Sequence, residues 1–112
     1  MTVREGEKVH IASRPTFASD VQRHFAGIVE AADGTTVRAS GHLYIYHEET
    51  GKFEKRPKVR TRIFSLVDAR LVINILPEDT DMQGIRYVLK DKRLLLKDGR
   101  KLEYDLTEYL RD

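Results

Sequence analysis

The densest chemistry in the chain lies in residues 52–62, which read Lys-Phe-Glu-Lys-Arg-Pro-Lys-Val-Arg-Thr-Arg. Six positive charges stand there against one negative. The whole chain carries only +2, so the other residues sum to −3 and the charge is segregated. Strand alternation would put Arg56, Lys58, Arg60 and Arg62 on one face. A hairpin closing at Thr50-Gly51 would bring His42, Tyr44 and Tyr46 to that same face. The expected surface is a basic stripe beside an aromatic one. Cationic side chains neutralise phosphates, and tyrosine rings stack on unpaired bases for roughly 1–3 kcal/mol each. Two other uses draw on the same residues. Lys and Arg on an exposed strand discourage edge-to-edge pairing. Alternatively, the face is a subunit interface, with its arginines meeting the acidic loop Glu78-Asp79-Asp81 of a second copy.

Other reactive types are scattered. His42 and His47 differ by an odd number of residues, so on a strand they point to opposite faces and make no metal pair. Asp79 and Asp81 resemble a calcium loop in spacing, but the Gly and the terminal Glu are missing at the required offsets. No serine sits in a Gly-x-Ser-x-Gly elbow. Ser40 and His42 share a face at about 7 Å, too far for a direct hydrogen bond. Phosphate-binding glycine loops are absent. Asn74 interrupts the apolar run Leu71–Leu76, where it satisfies a bend or faces an interface. The residues therefore point to binding rather than catalysis, with no metal or other cofactor.

The elements that must position these residues are strands. Asp33-Gly34 and Asp98-Gly99 each lie between apolar-rich stretches and suit two-residue type I′ turns, in which both positions need φ > 0. Glu49-Thr50-Gly51-Lys52, Asp68-Ala69-Arg70 and Lys90-Asp91-Lys92 mark three more turns. Val37, Ala39, Gly41, Leu43 and Ile45 alternate with Arg38, Ser40, His42, Tyr44 and Tyr46. Phe53, Val59, Thr61 and Ile63 share one parity of the next strand. The expected core holds Val29, Val37, Leu43, Ile45, Val59, Ile63, Leu71, Ile73, Ile75 and Leu89. Gly41 in mid-strand marks a bend or close packing, and Pro57 an edge or a bulge. Val21, Phe25, Ile28, Val29 and Ala32 also fit a helix face opened by Ser19 and Gln22. Gly27 and the following Asp33-Gly34 favour a strand over 23–33. Thr107–Leu110 reads as one helical turn.

Length and composition bound the rest. The 112 residues fit one domain: an arm, or an edge strand through Val9 and Ile11, over 1–18, a barrel core over 19–76, and a C-terminal hairpin extension over 77–112. Zero Cys excludes a disulfide framework, cysteine-ligated zinc, iron–sulfur clusters and thiol catalysis. No apolar run approaches the ~18 residues of a membrane span. Met1–His10 has no apolar signal-like region, so the expected compartment is the cytoplasm.

Residues 23–76 resemble an Sm-like small β-barrel. Gly41 stands mid-strand, and Arg62–Val67, Asp68-Ala69-Arg70 and Leu71–Ile73 give strand, tight turn, strand. The family builds bent antiparallel strands with a Gly in the bend and joins its last two strands by a very tight turn. Its members usually form rings through edge-strand pairing, and many bind RNA. The Asp and Asn of the family's nucleotide-binding loop have no counterpart here. Asp68-Ala69-Arg70 replaces the Arg-Gly of its second motif, so no binding residue carries over. The chain also resembles small bacterial proteins known by their fold alone.

The fold expected is mainly β: a small antiparallel barrel or strongly bent sheet of about 6–7 strands, with one or two short helices at most. The function expected is non-enzymatic and homo-oligomeric, with single-stranded RNA or another polyanion held by Tyr44, Tyr46, Arg56, Lys58, Arg60 and Arg62. The alternatives are an assembly module whose basic strand is a subunit interface, and a small ligand-binding barrel or enzyme with a pocket near His42.

Overall fold

The computed structural model describes residues 2–13 and 22–109. Nine strands occur among them: β1 (Lys8–Ser13), β2 (Arg23–Ala32), β3 (Thr36–His47), β4 (Lys52–Lys55), β5 (Arg60–Ser65), β6 (Leu71–Ile75), β7 (Arg86–Lys90), β8 (Arg93–Lys97) and β9 (Glu103–Asp105). The only helical pieces described are two 3-10 turns, Met82–Gly84 and Thr107–Tyr109. Residues 23–32 are strand, and the helical alternative falls. Its proposed cap, Ser19, lies outside the described residues.

Six strands form one antiparallel sheet in the order β4-β3-β2-β1-β6, with β5 beside the other half of β3. Both β4 and β5 pair with the long β3, so they are one returning strand broken at Arg56–Val59. This break and the extra strand β9 raise the strand number above the 6–7 expected. The sheet is open, not a closed barrel: its path ends at β4/β5 on one side and β6 on the other. The expected N-terminal arm contains an inner strand, because β1 pairs with β2 and β6 at once. That double pairing explains why Val9, His10, Ile11 and Ala12 are all buried.

Register assigns the faces. Val9, Ile11, Phe25, Val29, Val37, Ala39, Phe64, Leu71 and Ile73 project to one side and pack on one another. The sheet curls around them, and we call this the inner face. Gly27 and Gly41 pair directly across β2 and β3. A Cβ on Gly41 would lie 2.0 Å from the Ala26 carbonyl oxygen, and one on Gly27 2.3 Å from that of Ser40. The two strands approach this closely only because both residues lack a side chain.

On the outer face, part of the sheet is covered by a second antiparallel sheet, β7-β8-β9. Leu94, Leu96, Leu106 and Ile85 pack there on Ala12, Ala26, Tyr44 and Leu76. The expected hairpin extension is thus a three-stranded layer that closes a second core. The half of the outer face beyond this layer is open. Ile63 is 63% exposed on it, opposite Arg38, and Val59 is 62% exposed in the break. Ile75 and Leu89 are also exposed, so these four leave the expected core.

The turns follow a different assignment from the sequence. Positive φ occurs at Asp91 (52°) and Lys92 (62°), so the two-residue turn is the one between β7 and β8. Asp33-Gly34 and Asp98-Gly99 do not use it. Asp33 Oδ1 instead accepts from the backbone amides of Thr35 and Thr36, both at 2.8 Å. Asp98 accepts from the amides of Asp81, Arg100 and Leu102. An Asp side chain that ties successive amides shapes a longer loop without left-handed residues. Gly51 has φ 68°, as its place in the longer hairpin requires.

Candidate nucleic-acid interface

The returning strand β4/β5 is an edge, and all six of its cations are exposed: Lys52, Lys55, Arg56, Lys58, Arg60 and Arg62. Only Arg56 has a carboxylate partner among the described residues, Glu54 at 3.7 Å. Glu54 is shared with His47 at 3.1 Å, which draws that acid away from the strip. Five cations therefore stand without a counter-ion along one edge. Their lack of ion pairs follows from the sequence, because Glu54 is the only acid in the segment.

The expected aromatic stripe does not adjoin this edge. In an antiparallel pair, opposite residues have numbers of constant sum. Here Tyr44 faces Lys55 and Gly41 faces Arg60, so even numbers on β3 meet odd numbers on β4/β5. Arg60 and Arg62 consequently share the inner face with Gly41 and Ala39. Tyr44 and Tyr46 share the outer face with Lys55 and Phe53. Arg56 and Lys58 lie in the break, outside either paired segment. Tyr44 is 3% exposed, and burial pushes its hydroxyl up to about 12. It is a core residue, unavailable for stacking on a base. Tyr46 is half-buried with its ring 5.0 Å from that of Phe53.

His42, also on the outer face, has its pKa lowered by burial and then by the Lys55 charge. Ser40 Oγ bonds Glu30 Oε2 at 2.7 Å and the Thr61 hydroxyl at 2.6 Å. It forms no pair with His42 that could act as a nucleophile and base. The acidic loop after β6 is occupied locally: Lys8 Nζ donates to the carbonyls of Glu78 (2.7 Å) and Thr80 (2.6 Å). No group of three or more metal-ligating side chains occurs among the described residues. No helix among them is long and apolar enough to cross a membrane.

Sequence reading missed a polar chain buried between the two sheets. Tyr104 Oη donates to Asn74 Oδ1 at 3.0 Å. The Asn74 amide then donates to His10 Nδ1 at 3.1 Å, which leaves the His10 proton on Nε2. That nitrogen donates to His24 Nδ1 at 2.9 Å. Asn74 is thus a link to a histidine within a regular strand and not a bend residue. His24 is enclosed by the rings of Phe53, Tyr87 and Tyr109, at 5.1, 5.3 and 5.4 Å. No carboxylate touches either imidazole among the described residues. Burial lowers the His10 pKa to about 3, with a further push from His24, and burial alone lowers His24 to about 4. The Tyr87 hydroxyl is buried without a hydrogen-bond partner, and burial holds its pKa well above the usual range. The imidazoles of this layer are neutral, and its hydrogen bonds and ring contacts join the two sheets. No sequence spacing marks it, because β1, β2, β6 and β9 bring its members together from distant positions.

The chain matches no family model, no curated protein and no solved structure.

Proposed function

We propose that this protein is a non-enzymatic, homo-oligomeric binding module, Sm-like in kind, that holds single-stranded RNA or another polyanion along the basic edge Lys52–Arg62. The observation that carries the reading is the row of exposed cations on β4/β5, five of them without an ion-pair partner among the described residues. Cations that lack internal partners keep their full attraction for phosphates. The close approach of Gly41 in mid-strand and the short turn Asp68–Arg70 between β5 and β6 support the Sm-like part. The open sheet edge at β6 supports oligomerisation, since an edge pairs unless guarded, whereas the cations guard the β4/β5 edge.

Binding through about five phosphate contacts gives a salt slope near −3.5 for a single strand, or about a 100-fold loss between about 50 and 200 mM salt. Reversing Arg60→Glu and Arg62→Glu should lower the slope to about −2 and weaken binding to RNA at low salt. An unchanged affinity and slope, measured by anisotropy of a labelled RNA, overturns the reading.

A second reading has the basic edge as a subunit interface facing the acidic Glu78-Asp79-Asp81 loop of another copy. The unpaired backbone edge of β5 favours it. It predicts that the same reversals break the oligomer while RNA has no effect on either form.

A further inference from the structure

Under the curl of the large sheet, the inner faces leave a cavity of about 160 Å³. Phe25, Leu43, Phe64 and Leu71 give it apolar walls. Phe25 is 2% exposed and forms the deep side, with its ring 5.2 Å from that of Phe64. Ser13, Arg23 and Arg62 supply the polar groups, and all three are exposed at the rim. Neither arginine has an ion pair among the described residues. Arg62 belongs to the basic edge as well, so the cavity adjoins the row of cations.

We propose that this cavity takes one unpaired nucleobase of a single strand whose phosphates lie along the basic edge. The proposal rests on the polyanion reading and narrows it to nucleic acid. Size comes first: drug-sized ligands fill sites of about 300–1,000 Å³, so this one admits a single ring system and no long acyl chain. The wall chemistry suits an aromatic ring, because the half-buried Phe64 offers stacking and the half-buried Leu43 and Leu71 apolar contact. A guanidinium is a planar fork of donors that can bond a base edge or the flanking phosphate. Duplex bases are paired and stacked, which excludes them from such a site. A base-free polyanion would use the edge and leave the cavity unfilled.

The test compares a labelled RNA of about ten nucleotides with inorganic polyphosphate of equal charge, both at about 50 mM salt. The wild-type protein should bind RNA about tenfold or more tightly than polyphosphate. Ser13→Phe places a ring at the rim without removing core contacts. It should erase most of that preference and leave polyphosphate binding unchanged. Phe64→Leu, which keeps an apolar wall but removes the ring, should do the same by a smaller factor, with melting temperature tracked for both. Equal wild-type affinity for RNA and polyphosphate overturns the cavity assignment and leaves the basic edge standing. So does a wild-type preference that survives in both variants. Absence of binding to either polyanion overturns the basic-edge reading and this proposal with it.

Discussion

Lowering the pH from 7.5 to 5 should cost this fold about 4 kcal/mol of stability, because two histidines are buried without a counter-charge. In the unfolded chain each imidazole takes up a proton near 6.5. In the folded state His10 does so only near about 3 and His24 near about 4. The unfolded state therefore binds more protons throughout the interval, and stability falls as pH falls through 6.5. At pH 5 each histidine contributes about 2 kcal/mol of the loss, a factor of about 30 in the folding constant. His42 adds in the same direction, since its pKa is also lowered. Below pH 4 a second set takes over: Asp33, Asp98 and Asp105, held low by hydrogen bonds, begin to lose theirs. The assay is urea unfolding at several pH values, followed by far-UV circular dichroism and tyrosine fluorescence; the chain has no Trp to mask the latter. His10→Gln keeps a donor toward His24 and an acceptor toward Asn74 but cannot titrate. It should cut the loss at pH 5 to about half. A flat profile between pH 7.5 and 5 would mean that the histidines are solvated or paired with a carboxylate, and the sheet-to-sheet contact described above would be wrong.

Four more outcomes follow from packing and hydrogen bonding. Gly41→Ala sets a methyl 2.0 Å from a backbone carbonyl, so it should destabilise by more than about 2 kcal/mol in thermal or urea unfolding. Asn74→Ala leaves the Tyr104 hydroxyl and His10 Nδ1 unpaired between the sheets and should cost about 1–3 kcal/mol. Ile63→Thr, on an open face, should change stability by less than about 0.5 kcal/mol, whereas Leu94→Ala, fully buried between the sheets, should cost about 2–5 kcal/mol.

Fold class was legible because alternation and turn residues are local signals. Val37 to Tyr46 alternates over a full strand, and Gly41 marks the close packing of β3 on Gly27. The long-range register was not legible. One residue of offset between β3 and its returning partner exchanges faces, and that moved Ile63 into solvent and Arg60 and Arg62 to the inner face. Tyr44 is buried for another reason: the second sheet covers its part of the outer face. Turn chemistry misled for a related reason. Asp-Gly pairs suit type I′ turns, yet the Asp33 and Asp98 carboxylates find backbone amides nearby and stabilise other loops. The His10–His24 contact depends on β1 lying between β2 and β6, a topology that residues 1–13 do not announce. The cationic edge was readable outright, since eleven consecutive residues with a single acid cannot neutralise themselves.

The most direct test of the polyanion account is molar mass in solution by light scattering after size exclusion, at about 50 mM and about 500 mM salt, with and without a short mixed-sequence RNA. The account predicts an oligomer that keeps its mass at both salt concentrations and gains the mass of bound RNA only at the lower one. A mass unchanged by RNA at about 50 mM salt would contradict it and leave the basic edge as a solvated or subunit-facing strand.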